Sequence, residues 1–327
     1  MSDNGIPVVF DNSNPTKTKA GFAGQDSPRI VFPSIVARQR VHAVCNPPPP
    51  KDIWVGDEIA LSQNPLLTTS HPMRDDGAIN NPDDLEHLWR HAYRTLSVES
   101  ESQSLLVVDR CIFAPPRKTK EMMAQIAFET FSVPGLYVGH ADGLEVCCRP
   151  GMEGGTGLSV YSGEGYSSAV PVVDGAVLGH AAVRVGLGGD GAGRAYALPD
   201  GNVIDLGDGG VRAVEALFDG GPDSPGIGSA MSMAMGKCDR HVRKDVVANV
   251  VFSGRNTQFP GFEPRLEREL RSLFPDWNGC VRPPVDPDHS AWVAGSMLAS
   301  LSTFRAMTIT YAEYDETGPT MVHRKCF

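Results

Sequence analysis

Several things that would commit this chain to nucleic acid, a membrane or an oxidising compartment are missing from its sequence. Basic residues are in the minority, 29 Lys and Arg against 39 Asp and Glu, for a net charge of −10, and no basic patch stands out. Nucleic acid is thereby excluded as a main partner, because phosphate binding needs a basic face. The seven cysteines are odd in number and contain no C-x-x-C pair, which points to reduced thiols. No apolar run reaches the roughly 18 residues needed to span a bilayer, and no N-terminal apolar run follows a basic region. Cys326 is second from the end, so the terminus is not a prenylation box. These absences predict a soluble, intracellular protein without a membrane partner. What is present is 41% apolar residues over 327 positions, enough for one large or two medium domains.

The stretch from Val8 to Ser34 organises the rest. Val8-Val9-Phe10 reads as a buried strand ending at the turn formers Asp11-Asn12-Ser13-Asn14-Pro15. Lys19 to Gly24 form the return, and Asp26-Ser27-Pro28 turns again into Ile30-Val31-Phe32. A carboxylate at a strand tip before a tight turn suits a metal-bound phosphate, with turn amides cradling the anion and Asp11 holding the cation through water. The plan recurs in Leu158 to Tyr161, the turn Ser162-Gly163-Glu164-Gly165, the return Ser168 to Val173 and the hairpin turn Asp174-Gly175. Two such units predict a duplicated α/β fold with a cleft between its halves.

Elsewhere, Asn81-Pro82-Asp83-Asp84 starts a helix whose apolar stripe is Leu85, Leu88, Trp89, Ala92 and Leu96. His87 and His91 share a face there, without a third metal ligand nearby, and are expected on a solvated surface. Lys118 to Phe131 reads as a helix burying Met123, Ile126, Ala127 and Thr130. Pro264 opens another, with Leu266, Leu270 and Leu273 on one face, and Ser290 to Met307 is expected to be the longest helix. Gly186-Leu187-Gly188-Gly189-Asp190-Gly191 fits G-x-G-x-x-G, but Ala192 to Ala197 and Leu198-Pro199-Asp200-Gly201 read as a hairpin and not a helix. A joint is therefore expected there and not a dinucleotide site. Pro47 to Pro50 reads as a stiff, exposed loop.

Several of these segments resemble actin: Lys19-Ala20-Gly21-Phe22-Ala23-Gly24, Val31 to Val36, Trp54-Val55-Gly56-Asp57-Glu58, Glu121 to Phe131, Ala248 to Gly254, and the terminal Gly318 to Phe327. The resemblance implies the two-lobed actin/Hsp70/hexokinase-like ATPase fold, a duplicated mixed sheet with helices hinged over ATP and Mg. It places a first lobe at 1–155 with a small upper subdomain at 33–72, and a second lobe at 156–310. The tail 311–327 would pack back on the first lobe. Near 190–196 most of an insert is missing, so the upper subdomain of the second lobe is truncated, which should expose apolar surface around Val183 to Leu187.

By the same resemblance Asp11, Asn12, Lys19, Ser162, Gly163, Glu164, Gly165 and Gly254 correspond to nucleotide-binding positions, with Asp11 the metal-facing carboxylate acting through water. Other positions depart from the family. Pro15 removes an amide from the first turn, Tyr161 replaces a metal-facing aspartate, and Arg255 replaces a glycine. The glutamine and histidine that position the attacking water map near Ala141 or Asp142 and near Ser168, and a later nucleotide-loop lysine maps to Pro287 or Asp288. Phosphoryl transfer depends on positioning and electrostatics, so no catalytic residue is assigned and ATP hydrolysis is expected to be lost, with ATP binding weak or absent.

A partner groove is implied by Val293, Met297, Leu298, Leu301, Thr303 and Met307, with Trp292 and Phe304 assigned to the core. Its opposite wall, near Cys147-Cys148-Arg149, does not match the family. The expectation is a divergent actin or actin-related protein serving as a cytoskeletal or complex-scaffold component, in the cytoplasm or nucleus. Its partners would be other actin-like subunits or actin-binding proteins. The alternative is a conventional ATP-binding, filament-forming ATPase that tolerates the missing insert or whose gene model has lost it.

Overall fold

The computed structural model describes residues 5–39, 51–62, 64–113, 115–149, 151, 154–163, 166–186, 195–197, 203–205, 215, 217–221, 224–284 and 286–326. The proline run, the glycine-rich stretch beyond Gly186, and two expected site residues, Glu164 and Gly165, lie outside them. The chain divides into two units, Met1–Ala141 with Ala291–Phe327, and Asp142–Ser290.

In the first unit the strands β1 (Val8–Asp11), β2 (Lys17–Phe22) and β3 (Ile30–Pro33) form the expected antiparallel meander. Further along the chain come β4 (Val36–Gln39), β5 (Ile53–Val55) and β6 (Leu67–Ser70), which make a small separate sheet in the order β5-β4-β6. The strand β7 (Leu105–Asp109) runs parallel to β1, and β8 (Gly135–His140) parallel to β7. These parallel strands are buried throughout, as their unbroken apolar runs require of a sheet covered on both faces. One cover is the helix Pro82–Leu96, whose Trp89 and Tyr93 pack edgewise on Phe10 at ring-centroid distances of 5.8 and 4.9 Å. Its start is as expected: Pro82 is at the first turn and the Asn81 side chain accepts from the amides of Asp83 and Asp84. The buried carboxylate of Asp84 also accepts from Ser70 Oγ at 2.6 Å and pairs with Arg38, fastening the small sheet to this helix.

The other cover is the helix Ser290–Ser300. Trp292 is fully buried and its indole N–H donates to the Val9 carbonyl at 3.1 Å. Gly295 sits so close to the sheet that a Cβ there would lie 2.8 Å from Val108 Cγ2. Residues 291–310, expected with the second lobe, group with the first unit. The tail is in the same unit, where Lys120 Nζ donates to the Cys326 carbonyl at 3.0 Å and His323 pairs with Glu121.

The second unit repeats the plan. The strands β9 (Gly157–Ser162), β10 (Ser167–Val173) and β11 (Ala176–Val177) form an antiparallel meander, closed by Asp174 and Gly175 at φ 50° and 80°. A further strand, β12 (Val183–Val185), pairs with β10. Two short hairpins follow, β13 (Ala195–Ala197) with β14 (Val203–Asp205) and β15 (Gly220–Gly221) with β16 (Ser224–Pro225). The strand β17 (Asn249–Ser253) runs parallel to β9, and β18 (Cys280–Arg282) parallel to β17, as β7 and β8 follow β1. The first unit's sheet is completed by β19 (Ile309–Thr310) beside β8. Residues 142–155, expected with the first lobe, are held here: Asp142 accepts from Ser159 Oγ and Glu145 from Ser253 Oγ, each at 2.8 Å.

Three expectations are corrected. The apolar surface expected at Val183 to Leu187 is not open at Val183 and Val185, which are buried in one cluster with Ile227, Met231 and Met235 of the helix Ile227–Lys237; Leu187 lies outside the described residues. The helix expected over 290–307 stops at Ser300, whose hydroxyl bonds back to the Met297 carbonyl at 2.7 Å, and resumes only at Phe304–Met307, so Pro82–Leu96 is longer. Thr130 is exposed and Phe128 buried, because the helix Pro116–Gln125 continues as a π-turn over Ile126–Thr130 that shifts the 3.6-residue register.

Candidate functional site

The first unit's part of the site is the turn between β1 and β2. Asp11 is fully buried; its Oδ2 accepts from Lys19 Nζ at 2.9 Å and its Oδ1 from the Ser13 amide at 2.8 Å. Burial alone would raise the Asp11 pKa, but the Lys19 charge and the bonds from Ser13 and Lys19 outweigh it, and the carboxyl lies below its ordinary value. Lys19 occupies the place where a cation would balance this carboxylate.

The turn's backbone donors are largely engaged within the unit. The Asn12 amide donates to the Val108 carbonyl at 2.9 Å, Ser13 to Asp11, and Thr16 to Asn14 Oδ1 at 2.8 Å, while Pro15 has no N–H. Among the described residues only the Asn14 amide of this turn lacks an acceptor. A cradle for phosphate needs several amides converging on one point. The Asn12 side chain is 2% exposed, and neither of its amide atoms has a hydrogen-bond partner.

The second unit's part is the β9–β10 turn with the start of the segment after β17. Ser162 Oγ lies 2.8 Å from Ser167 Oγ and accepts from Asn256 Nδ2 at 3.2 Å; the same nitrogen donates to the Gly163 carbonyl at 2.8 Å. The Gly163 amide donates to the Tyr166 carbonyl at 3.0 Å. Tyr161 is buried, packs tilted against Tyr166 with ring centroids 5.2 Å apart, and sets its hydroxyl where a side chain at Gly163 would be. Gly254 has φ 93°, and a Cβ there would overlap the Ser162 carbonyl, so glycine is needed for this approach. Arg255 is exposed at the surface.

At the positions that would hold the water-activating groups, Ala141 offers a methyl, Asp142 accepts from Ser159, and Ser168 is buried with its hydroxyl unpartnered. Among the described residues no three His, Cys, Asp or Glu side chains gather to hold a metal. The first turn therefore fits a Mg-bound nucleotide poorly: Lys19 already balances the Asp11 charge, and among the described residues one amide is left to meet a phosphate. His87 and His91, expected on a solvated surface, are both half-buried, and His91 lies edgewise on Phe32 at 4.8 Å.

Of the groove residues, Met297 and Leu301 are 43% and 52% exposed, Thr303 is exposed, and Val293, Leu298 and Met307 are half-buried. Trp292 and Phe304 are in the core.

Two features went unread in the sequence. Asn256 holds the second turn together, and only its position just past the strand end hints at that. Asp109 and His140 face each other at the ends of β7 and β8, with Asn12 just past the end of β1, and all three are buried. Burial pushes the Asp109 carboxyl up to about 6 in spite of the Lys120 and Arg110 charges. The signal was there: each of these apolar strands turns polar at its last residue or just beyond it.

A family model described as Actin matches residues 2–192 and 190–327. The two matched segments meet where the insert is missing.

Proposed function

Because the chain belongs to the actin family, we propose that it is a divergent member working as a cytoskeletal or complex-scaffold component, without ATP hydrolysis and with ATP binding weak or absent. The observation that carries this reading is that most of the described donors of both phosphate turns are engaged within their own units. In the first, the amides bond within the unit and Lys19 stands where a metal would neutralise Asp11. In the second, the Gly163 amide is bonded to Tyr166, and Tyr161 fills the place of a metal-facing carboxylate. Hydrolysis further requires a positioned water, and a methyl at Ala141 with a small hydroxyl at Ser168 supplies neither of the groups that place it.

On this reading the chain acts through its surface. The exposed Met297 and Leu301, beside Val293, Leu298, Thr303 and Met307, would receive other actin-like subunits or actin-binding proteins. No helix among the described residues is long and apolar enough to cross a membrane, and a cytoskeletal location in cytoplasm or nucleus follows from the family.

Calorimetric titration of the folded chain with Mg·ATP tests the proposal, with Asp11→Ala as control. No detectable heat is expected. Micromolar binding that vanishes in the control would overturn it in favour of a filament-forming ATPase.

A further inference from the structure

The chain crosses between its units twice, leaving the first after Ala141 and returning to it at Ala291. A helix begins at each crossing, Ala141–Cys147 at the first and Ser290–Ser300 at the second. Glu145 lies about one turn into the first helix and is 2% exposed. Its Oε1 accepts from Ser290 Oγ at 2.6 Å and its Oε2 from Ser253 Oγ at 2.8 Å. Ser253 is the last residue of β17, and the amide of the next residue, Gly254, donates to the Pro287 carbonyl at 3.3 Å. Glu145, Ser253 and Ser290 all belong to the second unit.

Each crossing segment also has contacts of its own. Asp142 ties the first helix to β9 through Ser159, and Gly143 sits so close to the β10–β11 turn that a Cβ there would lie 2.9 Å from the Gly175 carbonyl oxygen. Asp286 shapes the approach to the second crossing, accepting from the Asp288 amide at 3.0 Å and meeting His289 Nδ1 at 2.7 Å. Glu145 joins the two. A carboxylate has an acceptor oxygen to spare for each of two donors, and hydrogen bonds to a charged acceptor are among the stronger ones. We propose that Glu145 is a clasp between the two crossings. By gripping the end of β17 and Ser290 at once, it makes the outgoing and returning passages open together and not singly. The clasp is built from this chain alone and does not depend on whether nucleotide binds.

The test is amide hydrogen exchange of the full chain, read by mass spectrometry with no nucleotide present. Glu145→Gln keeps the shape but offers one acceptor oxygen in place of two. Amides of 142–149 and of 286–292 should both exchange about ten- to a hundredfold faster, while those of β1 and β7 stay as in the wild type. Ser290→Ala cuts one arm of the clasp, and should speed exchange about threefold in the first helix as well as at its own position. Glu267→Gln, which removes an exposed ion pair with Arg271 on the helix Phe262–Leu273, should leave both segments unchanged. Unchanged exchange of either segment in Glu145→Gln, or an effect of Ser290→Ala confined to 286–292, would overturn the clasp. If Glu145→Gln does not fold, Ser290→Ala and Ser253→Ala, each lacking a single hydroxyl, decide by whether both segments respond.

Discussion

Asp109 shows how a single buried group contributes to the pH dependence of this protein. Its carboxyl is fully enclosed at the end of β7, and burial moves its pKa from 3.8 to about 6 against the opposing charges of Lys120 and Arg110. Between those two values the folded chain binds more protons than the unfolded one, so this group's contribution to stability falls as pH rises through the window. Above about pH 6 the folded state carries an ionisation penalty of about 3 kcal/mol. Its neighbour His140 is held well below its ordinary value by burial and by the Arg110 and Lys120 charges, so it stays neutral in the folded chain while the unfolded imidazole takes up a proton, and its contribution to stability rises with pH across the same window, opposing that of Asp109. Asp109→Asn should therefore remove the falling contribution, so that stability rises more steeply with pH between 4 and 6, and leave the protein about 1–3 kcal/mol more stable at pH 7. Urea unfolding at a series of pH values reads this directly; an Asn variant that keeps the wild-type slope would assign the slope to another group.

Among the elements, those specified by neighbours in sequence were legible and those specified across the fold were not. The meanders β1-β2-β3 and β9-β10-β11 could be read because an apolar run, a turn cluster and a return are local signals. So could the helix Pro82–Leu96, whose cap, first-turn proline and stripe all agree. The π-turn at Ile126–Thr130 and the interruption after Ser300 escaped, since both depend on how the backbone adjusts to what lies beneath it. Within the candidate site, Asp11 and Gly163 stood out by residue type at a turn, and Lys19 and Gly254 by the resemblance to actin. Asn256 did not, because its role rests on two acceptors more than ninety positions away. Gly295 is another long-range requirement. A Cβ there would lie 2.8 Å from Val108, 3.0 Å from Leu106 and 3.2 Å from Val9, all in a sheet with no room to yield. Gly295→Ala should cost about 1–3 kcal/mol through overpacking in spite of alanine's better helix propensity. A chemical-denaturation midpoint at or above wild type would mean that the helix Ser290–Ser300 can lift off the sheet at little cost.

For the whole molecule, the question is whether a fold inherited with a nucleotide still needs one. A ligand that binds only the folded state stabilises it by RT ln(1 + [L]/Kd), about 2.7 kcal/mol at a hundredfold excess over Kd. In this chain several of the groups such a ligand would engage have found partners within their own units. Lys19 balances Asp11, the Gly163 amide meets Tyr166, and Asn256 ties Ser162 to the turn. The truncated second unit likewise covers itself at Val183 and Val185 with the helix Ile227–Lys237, so its core does not depend on the missing insert at those positions. Stripping the purified chain with EDTA and a nucleotide-hydrolysing enzyme should therefore leave its thermal midpoint unchanged, and adding Mg·ATP back should not raise it. Several degrees of destabilisation on stripping, reversed by Mg·ATP, would mean that these internal contacts open to admit the ligand, and that the folded state still draws on binding energy from outside the chain.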